Sequence, residues 1–378
     1  MPASSNPSPS QSSGVLTVDL TALAENWRVL ARRAAPAECA AVVKADAYGV
    51  GAEAAAPALH AAGCRQFFVA QVSEGARVRA ALGPASRARI YVLNGLQAGS
   101  DPRADYLAHG LAPVIGGAEE LARWGAVAAS QPAPCALHLD TGMNRLGFPS
   151  LPALEAAVAR VGRDALGVEL LMSHFVSAEE PDNPLNAVQI ARFDEARAAF
   201  RGLPASLANS SGAFLKARPA YDLIRPGYAL YGGNPTPGAA NPMKPVVTLE
   251  IAIQQTRWIE AGDSVGYNQQ WTAARRTRLA TLLAGYADGL PRGAGAINGK
   301  SGAEVVIAGR RCPLVGRMSM DLCVADVTDL PEDAARPGVA AQLLGATIGV
   351  DEFAARSGTI GYHLLTSLGA RYHRRYAG

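Results

Sequence analysis

The chain lacks most of the features by which large classes of protein are recognised. Its five cysteines are scattered and never form a Cys-x-x-Cys pair, which argues against a disulfide framework and against a structural zinc site. No apolar run approaches the roughly 20 residues that a membrane-spanning helix needs. Neither a Gly-x-Gly-x-x-Gly turn nor a Gly-x-x-x-x-Gly-Lys-Ser/Thr loop is present, so a dinucleotide site and a nucleoside triphosphate site are not expected.

The chain also lacks a strong charge of one sign. Its formal net charge is +3, and Lys and Arg do not cluster or alternate with aromatic residues. The sequence therefore gives no indication of nucleic-acid binding. The first residues, MPASSNPSPSQSSG, have neither a basic start nor an apolar stretch. We expect them to form a solvated tail rather than a secretory signal. Together with the unpaired cysteines, this predicts a cytoplasmic protein that does not bind a membrane.

Hydrophobic residues are abundant, at 49% of the chain, and they occur in short apolar runs between longer Ala-, Leu-, Glu- and Arg-rich stretches. Helical periodicity suits the longer stretches better than alternation does. Eight runs are predicted to be strands, at residues 39–44, 66–71, 89–95, 111–116, 135–140, 167–175, 205–210 and 222–227. Because parallel strands need helical crossovers, eight such units predict an α/β fold with a (β/α)8 TIM-type barrel. A doubly wound open sheet is the alternative, which the missing glycine-rich turn disfavours.

The sequence changes character after about Pro245, where short β-rich runs are broken by Gly and Asp turns. This pattern predicts a separate, mainly antiparallel β domain. Residues 232–245 are dense in Pro and Gly and form the predicted linker. The expected organisation is a disordered tail over residues 1–13, a barrel over 14–240 and a C-terminal β domain over 241–378.

Polar residues follow the predicted barrel strands at the end where (β/α)8 active sites lie. They are Lys44, Asp140, His174, Asn209 with Ser210, and Arg225. One such residue alone is usually a solvated charge, whereas several at the same end of separate strands indicate a site. The last two loops, NSSG (209–212) and RPGY (225–228), offer hydroxyls and backbone N–H groups, so a phosphorylated ligand would fit them.

Lys44 ends the apolar run AAVVK, so its strand delivers it to this end of the barrel. It could bind the phosphate as a point charge. It could equally be a Schiff-base lysine, a role that requires a rigid support and partial desolvation. The neighbouring Val42 and Val43 favour desolvation, but the residues alone leave the two roles equally open.

Eight segments that occur in order between about residues 14 and 321 resemble the motifs of the alanine racemases. They are VVKADAYGVGA, LDTGMNRLGF, MSHF, ANSS, IRPGYALYG, VGYNQQW, GYADGLPR and VGRMSMD. The resemblance implies an isomerase of fold type III that binds pyridoxal 5′-phosphate (PLP) in an N-terminal barrel and interconverts L-alanine and D-alanine. It also implies a homodimer with shared active sites, which the C-terminal domain of the partner subunit completes.

The resemblance further implies a role for each matching residue. Lys44 is implied to form a covalent aldimine with PLP and to act on D-alanine, while Tyr267 acts on L-alanine from the opposite face. The implied cofactor-binding residues are Lys44, Tyr48, His174, Asn209, Ser210, Arg225, Gly227 and Tyr228. The implied substrate-binding residues are Arg145, Tyr286, Met320 and Asp321, and no metal is implied.

These roles agree with the chemistry of racemisation, which removes a proton from one face of Cα and returns it to the other. A tyrosine has an unperturbed pKa of about 10, so a working phenolate needs nearby positive charge or hydrogen-bond donors. Arg225 is implied to donate to the pyridine nitrogen, and His174 to bond to Tyr267. Since an arginine stays protonated, the pyridine nitrogen would stay unprotonated and the ring would be a weaker electron sink.

The chain departs from the family pattern at two places. Many members carry a carbamylated lysine where this chain has His138, so Arg145 must be oriented by a bound anion or by His138 itself. A tyrosine at the substrate entrance aligns with Gly369 or Ala370, and Tyr372 is a candidate for its replacement. A broad-specificity amino-acid racemase of the same fold is therefore one alternative. A non-catalytic PLP-binding module is the other, and the β domain with its Tyr267 disfavours it.

Overall fold

The structure is a computed structural model. It describes residues 6–8, 11–83, 85–131, 133–162, 166–217 and 219–378. The chain divides into two compact units. The barrel unit comprises Leu23–Leu230 with Asn234–Met243, and the β unit comprises Lys244–Gly378 with Tyr231–Gly233 and the N-terminal residues up to Ala22. Residues 1–5 and 9–10 of the predicted tail lie outside the described residues.

The first regular elements are β1 (Val15–Asp19) and α1 (Leu20–Ala34). β1 pairs antiparallel with residues 247–250 and parallel with residues 373–377, so it belongs to the β unit although it precedes the barrel in sequence. The predicted barrel, which starts at residue 14, differs from the structure here. The reason is that the partners of β1 lie more than 200 residues away, where no local pattern points to them.

All eight strands predicted for the barrel are present. They are β2 (Glu38–Cys39) with β3 (Ala41–Val42), β4 (Gln66–Val69), β5 (Arg89–Val92), β6 (Leu111–Ile115), β7 (Pro134–His138), β8 (Gly167–Met172), β9 (Ala205–Ser206) and β10 (Leu223–Ile224). β3 to β9 form a parallel sheet in chain order, and β10 pairs parallel with β2. Backbone hydrogen bonds from Asp222 to Ala205 and from Arg225 to Ala208 join β9 to β10 and close the ring. The prediction of a (β/α)8 barrel is confirmed.

The helices of the barrel unit after α1 are α2 (Ala52–Ala62), α3 (Val72–Leu82), α4 (Ala118–Ala128), α5 (Leu151–Val161) and α6 (Pro184–Ala199). Local chemistry fixes where several of them begin. The Asn183 side chain accepts a hydrogen bond from Leu185 N, and Pro184 follows at the first helical position of α6. A short π-helical turn, Pro102–Tyr106, stands between β5 and β6 where a longer helix is absent from the described residues. No helix in the described ranges has both the length and the apolar character needed to cross a membrane.

The β unit contains the remaining strands and two short helices. The strands are β11 (Val247–Ile259), β12 (Ser264–Val265), β13 (Trp271–Thr272), β14 (Thr277–Leu282), β15 (Glu304–Ile307), β16 (Arg310–Pro313), β17 (Cys323–Asp326), β18 (Ala340–Leu344) and β19 (His373–Ala377). The helices are α7 (Val350–Arg356) and α8 (Gly361–Ser367). Apart from β1 with β19, the paired strands in this part of the described chain are antiparallel, which confirms the predicted mainly antiparallel domain.

Candidate active site

Lys44 lies at the end of β3, where the chain enters a tight left-handed turn. Val43 is fully buried, and the four residues from Ala45 to Tyr48 have φ values between 52° and 55°. Asp46 Oδ1 accepts a hydrogen bond from Ala52 N at 3.0 Å and so ties the turn to α2. Desolvation, and then the charge of Arg145, lower the pKa of the Lys44 amine. A rigid support and a destabilised ammonium are the conditions that a Schiff-base lysine requires.

The two loops predicted to bind phosphate lie side by side. Ser210 Oγ accepts hydrogen bonds from Gly227 N at 3.0 Å and from Ala229 N at 3.2 Å. Tyr48 packs against the second loop so closely that a Cβ atom at Gly227 would lie 2.3 Å from the tyrosine hydroxyl oxygen. Burial raises the pKa of Tyr48, so its hydroxyl stays protonated and able to donate. Tyr228 is also buried, while Asn209 uses its side-chain oxygen to accept from Gly212 N at 2.8 Å.

Arg225 directly follows β10 and is a buried cation, with 3% of its surface exposed. Its guanidinium donates to the Ser173 carbonyl oxygen at 2.5 Å and to the Ser206 hydroxyl, which in turn donates to Leu223 O at 2.6 Å. Burial lowers the pKa of Arg225 to about 9, so the group is still charged at neutral pH. No Asp or Glu among the described residues forms an ion pair with it. A buried cation without a carboxylate partner is suited to donate a hydrogen bond to an acceptor atom of a bound ligand.

Two neutral histidines flank Arg225. His174 Nδ1 lies 3.5 Å from the Arg225 guanidinium nitrogen, and burial together with that charge lowers the pKa of His174 to about 3. Burial and Arg225 also lower the pKa of His138 to about 4. The Gln189 side chain donates to His174 O at 2.9 Å and to Thr141 Oγ1 at 3.0 Å, which holds the two loops together. Both imidazoles are therefore uncharged at neutral pH.

Arg145 is exposed, on the loop that follows β7. Asp140 shapes this loop, because its Oδ1 accepts from Gly142 N at 2.8 Å and from Met143 N at 2.7 Å. The Asp140 carboxylate, which the sequence grouped with the site residues, thus supports the loop that carries Arg145. Within the described residues Arg145 makes no hydrogen bond, and its charge helps to lower the pKa of His138.

The remaining predicted residues lie on three adjoining loops of the β unit. Tyr286 N donates to Ser319 O at 3.1 Å, and Ala287 N donates to Met320 O at 2.9 Å, so the Tyr286 and Met320 loops are in contact. Gly266, beside Tyr267, lies so close to the third loop that a Cβ atom there would be 3.0 Å from Arg317 N. The side chains point away from the core: Tyr267 is 62% exposed, Met320 53% and Tyr286 39%.

A buried aspartate that sequence reasoning missed holds two of these loops. Asp288 is fully buried, and its Oδ1 lies 3.1 Å from Arg371 Nε and accepts from Ser13 Oγ at 2.6 Å. The same arginine donates to Asp321 Oδ1 at 2.8 Å, so it connects the GYADG loop to the MSMD loop. A signal was available, since Asp288 is the aspartate of GYADG. Its partner Arg371 lies 83 residues further along the chain, where the motif gives no indication.

Tyr372 is not available at a substrate entrance. It is fully buried in the β unit, and its hydroxyl has no hydrogen-bond partner among the described residues. Ala370 instead lines a cavity of about 440 Å³, together with Asp321 and Arg371. Burial therefore argues against Tyr372 as the replacement for the entrance tyrosine, because its side chain points into the core.

The serines that hold Arg225 were also missed. Ser206 precedes the recognised ANSS motif by two residues, and Ser173 directly precedes His174. Alternation along a strand places residues 206, 208 and 210 on one face, so the position of Ser206 could have been read from the pattern. The Ser173 contact uses its backbone carbonyl, which no side-chain pattern reveals.

Comparisons with known proteins agree with this architecture. Family models of the alanine racemase N-terminal and C-terminal domains match residues 18–235 and 246–376. An alanine racemase of Methylobacterium sp. (strain 4-46) is 54% identical over 363 residues, which cover 96% of this chain and 97% of the relative.

Two solved structures are similar over nearly their whole length. Alanine racemase from Bartonella henselae, with covalently bound pyridoxal phosphate, has 35% sequence identity and a TM-score of 0.88, covering 97% of this chain and 99% of that one. Biosynthetic alanine racemase from Pseudomonas aeruginosa has 40% identity and a TM-score of 0.84, covering 96% and 99%. From the matched domains and the extent of this similarity, the chain belongs to the alanine racemase family.

Proposed function

We propose that this protein interconverts L-alanine and D-alanine, with pyridoxal 5′-phosphate bound at the mouth of the barrel. The observation that carries the proposal is the grouping of Lys44 and the uncompensated Arg225 cation at one end of the barrel, with a small-residue cradle against Tyr48. The covalently bound cofactor of the Bartonella henselae relative supports the same assignment. The enzyme would either supply D-alanine for peptidoglycan synthesis or serve alanine catabolism.

The residues at the barrel mouth fit this cofactor. Tyr48, Asn209, Ser210, Gly227 and Tyr228 would hold the phosphate group, since their loops adjoin and leave no room for a Cβ atom at the glycine. The buried Arg225 would donate to the pyridine nitrogen, because the described residues offer its charge no carboxylate. Lys44 would form the covalent link. When bound, the cofactor supplies an electron sink that makes the Cα proton of alanine removable.

Two side chains would move the proton. Lys44 Nζ would take it from D-alanine on one face of Cα, and the lowered pKa of this amine increases the fraction that can act as a base. Tyr267 Oη would act on L-alanine from the other face. The neutral His174 would accept a hydrogen bond on the path between Tyr267 and Arg225. Arg145, Met320, Asp321 and Tyr286 would contact the substrate.

The exposure of Tyr267, Met320 and Tyr286 supports a homodimer with shared sites. Large side chains on adjoining loops rarely stay this exposed unless another surface covers them. We assign that surface to the barrel mouth of a second copy.

Subunit complementation tests the shared site. Inactive Lys44→Ala and Tyr267→Phe proteins are allowed to exchange subunits. If each barrel takes its tyrosine from the partner, half the dimers are mixed, each has one intact site, and about a quarter of wild-type activity returns. If each chain uses its own Tyr267, no activity returns.

Spectroscopy tests the cofactor assignment directly. The purified protein should show the visible absorbance of lysine-bound PLP, and Lys44→Ala should lose it. Absorbance that persists in this variant would show that the cofactor is attached elsewhere.

The free, buried cysteines among the described residues support a cytoplasmic location. Fractionation of the native host tests this location.

A broad-specificity amino-acid racemase of the same fold is the second candidate, favoured by His138 in place of the family lysine. A panel of L-amino acids separates the two functions. We expect alanine to be turned over far faster than lysine or arginine, and comparable rates would favour the second candidate. A non-catalytic PLP-binding module is disfavoured by the β unit with its exposed Tyr267.

A further inference from the structure

The turn behind Lys44 is held from outside by a glutamate of the next βα unit. Ala45 N donates to Glu74 Oε1 at 2.6 Å. The other oxygen of this carboxylate accepts from Ala70 N at 2.8 Å and from Gln71 N at 3.1 Å, at the N-terminus of α3. Capping α3 uses only Oε2, so the bond from Oε1 to the Lys44 turn is a separate contact. One carboxylate thus joins the chain directly after Lys44 to the first turn of α3.

The Lys44 turn needs such support because its backbone is unfavourable for its own sequence. Four consecutive residues without a glycine, Ala45 to Tyr48, lie in the left-handed region. L-residues enter this region only against steric repulsion, so contacts from elsewhere must stabilise the turn. The Glu74 contact holds the backbone N–H of Ala45, the first of these residues. The orientation of the backbone at this point sets the direction in which the Lys44 side chain leaves β3.

We propose that Glu74 is a positioning residue for Lys44, fixing through Ala45 the direction in which the lysine side chain points into the barrel mouth. The inference rests on the function proposed above, because it concerns the same lysine. The charge of Glu74 also favours the ammonium form of Lys44 and so opposes desolvation and Arg145, which lower the pKa of that amine.

Glu120 provides a matched control, because it repeats this construction two strands further round the barrel. Its Oε2 accepts from Gly116 N at 2.9 Å, just before α4, and its Oε1 accepts from Leu96 N at 2.9 Å, in the loop after β5. Each glutamate is the third residue of its helix, and both are half-buried. They differ in the turn that they hold, since the loop after β5 carries none of the proposed site residues.

The experiment compares Glu74→Gln with Glu120→Gln in the full-length holoenzyme. Each substitution turns an amide NH₂ group toward backbone N–H donors, so we expect both variants to lose thermal stability to a similar extent. Only Glu74→Gln should weaken the affinity for PLP and alter the visible absorbance of the bound cofactor. The same variant should lower kcat about tenfold to a hundredfold with a smaller change in KM for alanine, because the lysine is misdirected while the substrate contacts remain.

Glu74→Asp is measured beside them, since it keeps the charge on a stem one methylene shorter. It should lie between wild type and Glu74→Gln in PLP affinity and kcat. Equal PLP affinity, absorbance and kcat in the two glutamine variants would show that Glu74 only caps its helix. If Glu74→Gln does not fold, a folded Glu74→Asp with wild-type absorbance and kcat overturns the proposal. Wild-type protein without racemisation or visible absorbance would instead overturn the proposed function itself.

Discussion

The barrel mouth and the loops of the β unit contribute to the proposed site in opposite ways. At the barrel mouth, Arg225 is held by two serines, and Ser210 binds two backbone amides. On the β unit, Tyr267 and Met320 extend into solvent, and only their backbones are fixed. Arg225 and Ser210 are buried, and their partners belong to the same chain. The second region presents large side chains that stay largely exposed on the β unit.

This difference shows how the work of the site is divided. Holding a charged, phosphorylated cofactor requires a preorganised and partly desolvated pocket, which the barrel provides. Delivering a second base requires only that a side chain be placed at the right position from outside. Changes in the barrel should therefore affect cofactor and chemistry together, and changes in the β loops should affect chemistry alone.

Lys44→Ala should have the largest effect, because it removes both the covalent attachment and one of the two bases. We expect racemisation to fall by at least about 10⁴-fold in both directions. The measurement is polarimetry or chiral chromatography from each enantiomer, beside the visible spectrum. Lys216→Ala, at an exposed lysine of the barrel unit, is the control and should behave as wild type.

Tyr267→Phe should impair racemisation without impairing cofactor binding. Racemisation should fall by about 10²–10⁴-fold, while PLP affinity and absorbance stay unchanged. Since Lys44 remains, exchange of the α-proton of D-alanine with D₂O should continue, and that of L-alanine should be lost. Mass spectrometry of the recovered alanine measures both. The exposed Tyr376 of the β unit, changed to Phe, is the control. Full racemisation in Tyr267→Phe would contradict the two-base proposal.

Acid should destabilise the barrel mouth through its two neutral histidines. The pKa values of His174 and His138 are about 3 and about 4 in the folded chain, below the ordinary value of 6.5. Between these values and pH 6.5 the unfolded chain binds more protons, so stability present above pH 6.5 is lost as pH falls. At pH 5 we expect a loss of about 1–2 kcal/mol for each histidine in the free energy of unfolding.

Hydrogen exchange of the β7 and β8 amides at pH 7.5 and pH 5.0, corrected for intrinsic exchange rates, measures this loss. Replacing both histidines with asparagine should reduce the dependence of the free energy of unfolding on pH. An unchanged pH dependence would show that other groups cause it.

Two buried tyrosines predict small effects of opposite sign. The Tyr372 hydroxyl is buried without a partner among the described residues, so Tyr372→Phe should raise the free energy of unfolding by about 1 kcal/mol. The Tyr106 hydroxyl in the barrel unit donates to Gly95 O at 2.6 Å and accepts from Gln97 N at 3.2 Å, so Tyr106→Phe should lower it by about 1–2 kcal/mol. Urea unfolding of both variants measures the two changes in the free energy of unfolding. Changes of the same sign would contradict the hydrogen-bond assignment.

The sequence was sufficient for the barrel because its evidence is local. Each strand is a short apolar run, and each polar residue at a strand end is adjacent to that run, so Lys44, His174 and Arg225 could be grouped before any coordinates. The pairing of β1 was out of reach, because its partners lie at the far end of the chain. The role of the Asp140 carboxylate was out of reach for a related reason: a carboxylate after a strand looks the same whether it faces a ligand or closes a turn.

Glu74 shows the limit most clearly. The spacing of Gln71 and Glu74 matches a helix N-terminus, and a local pattern can predict that much. The second oxygen reaches Ala45, 29 residues earlier, through a contact that depends on how two adjacent strands align. A motif shows which residues are present, but it does not show which side chain contacts two separate structural elements.

The position of β1 has a consequence for synthesis on the ribosome. The barrel ring can close once β10 has emerged, after about residue 226, whereas β1 must wait for β11 and, at the very end of the chain, for β19. Until β11 is made both edges of this first strand are unpaired, and until β19 is made one edge stays open to other chains. Nascent or truncated chains that lack the last strand should therefore be the aggregation-prone species, while their barrels can already be complete.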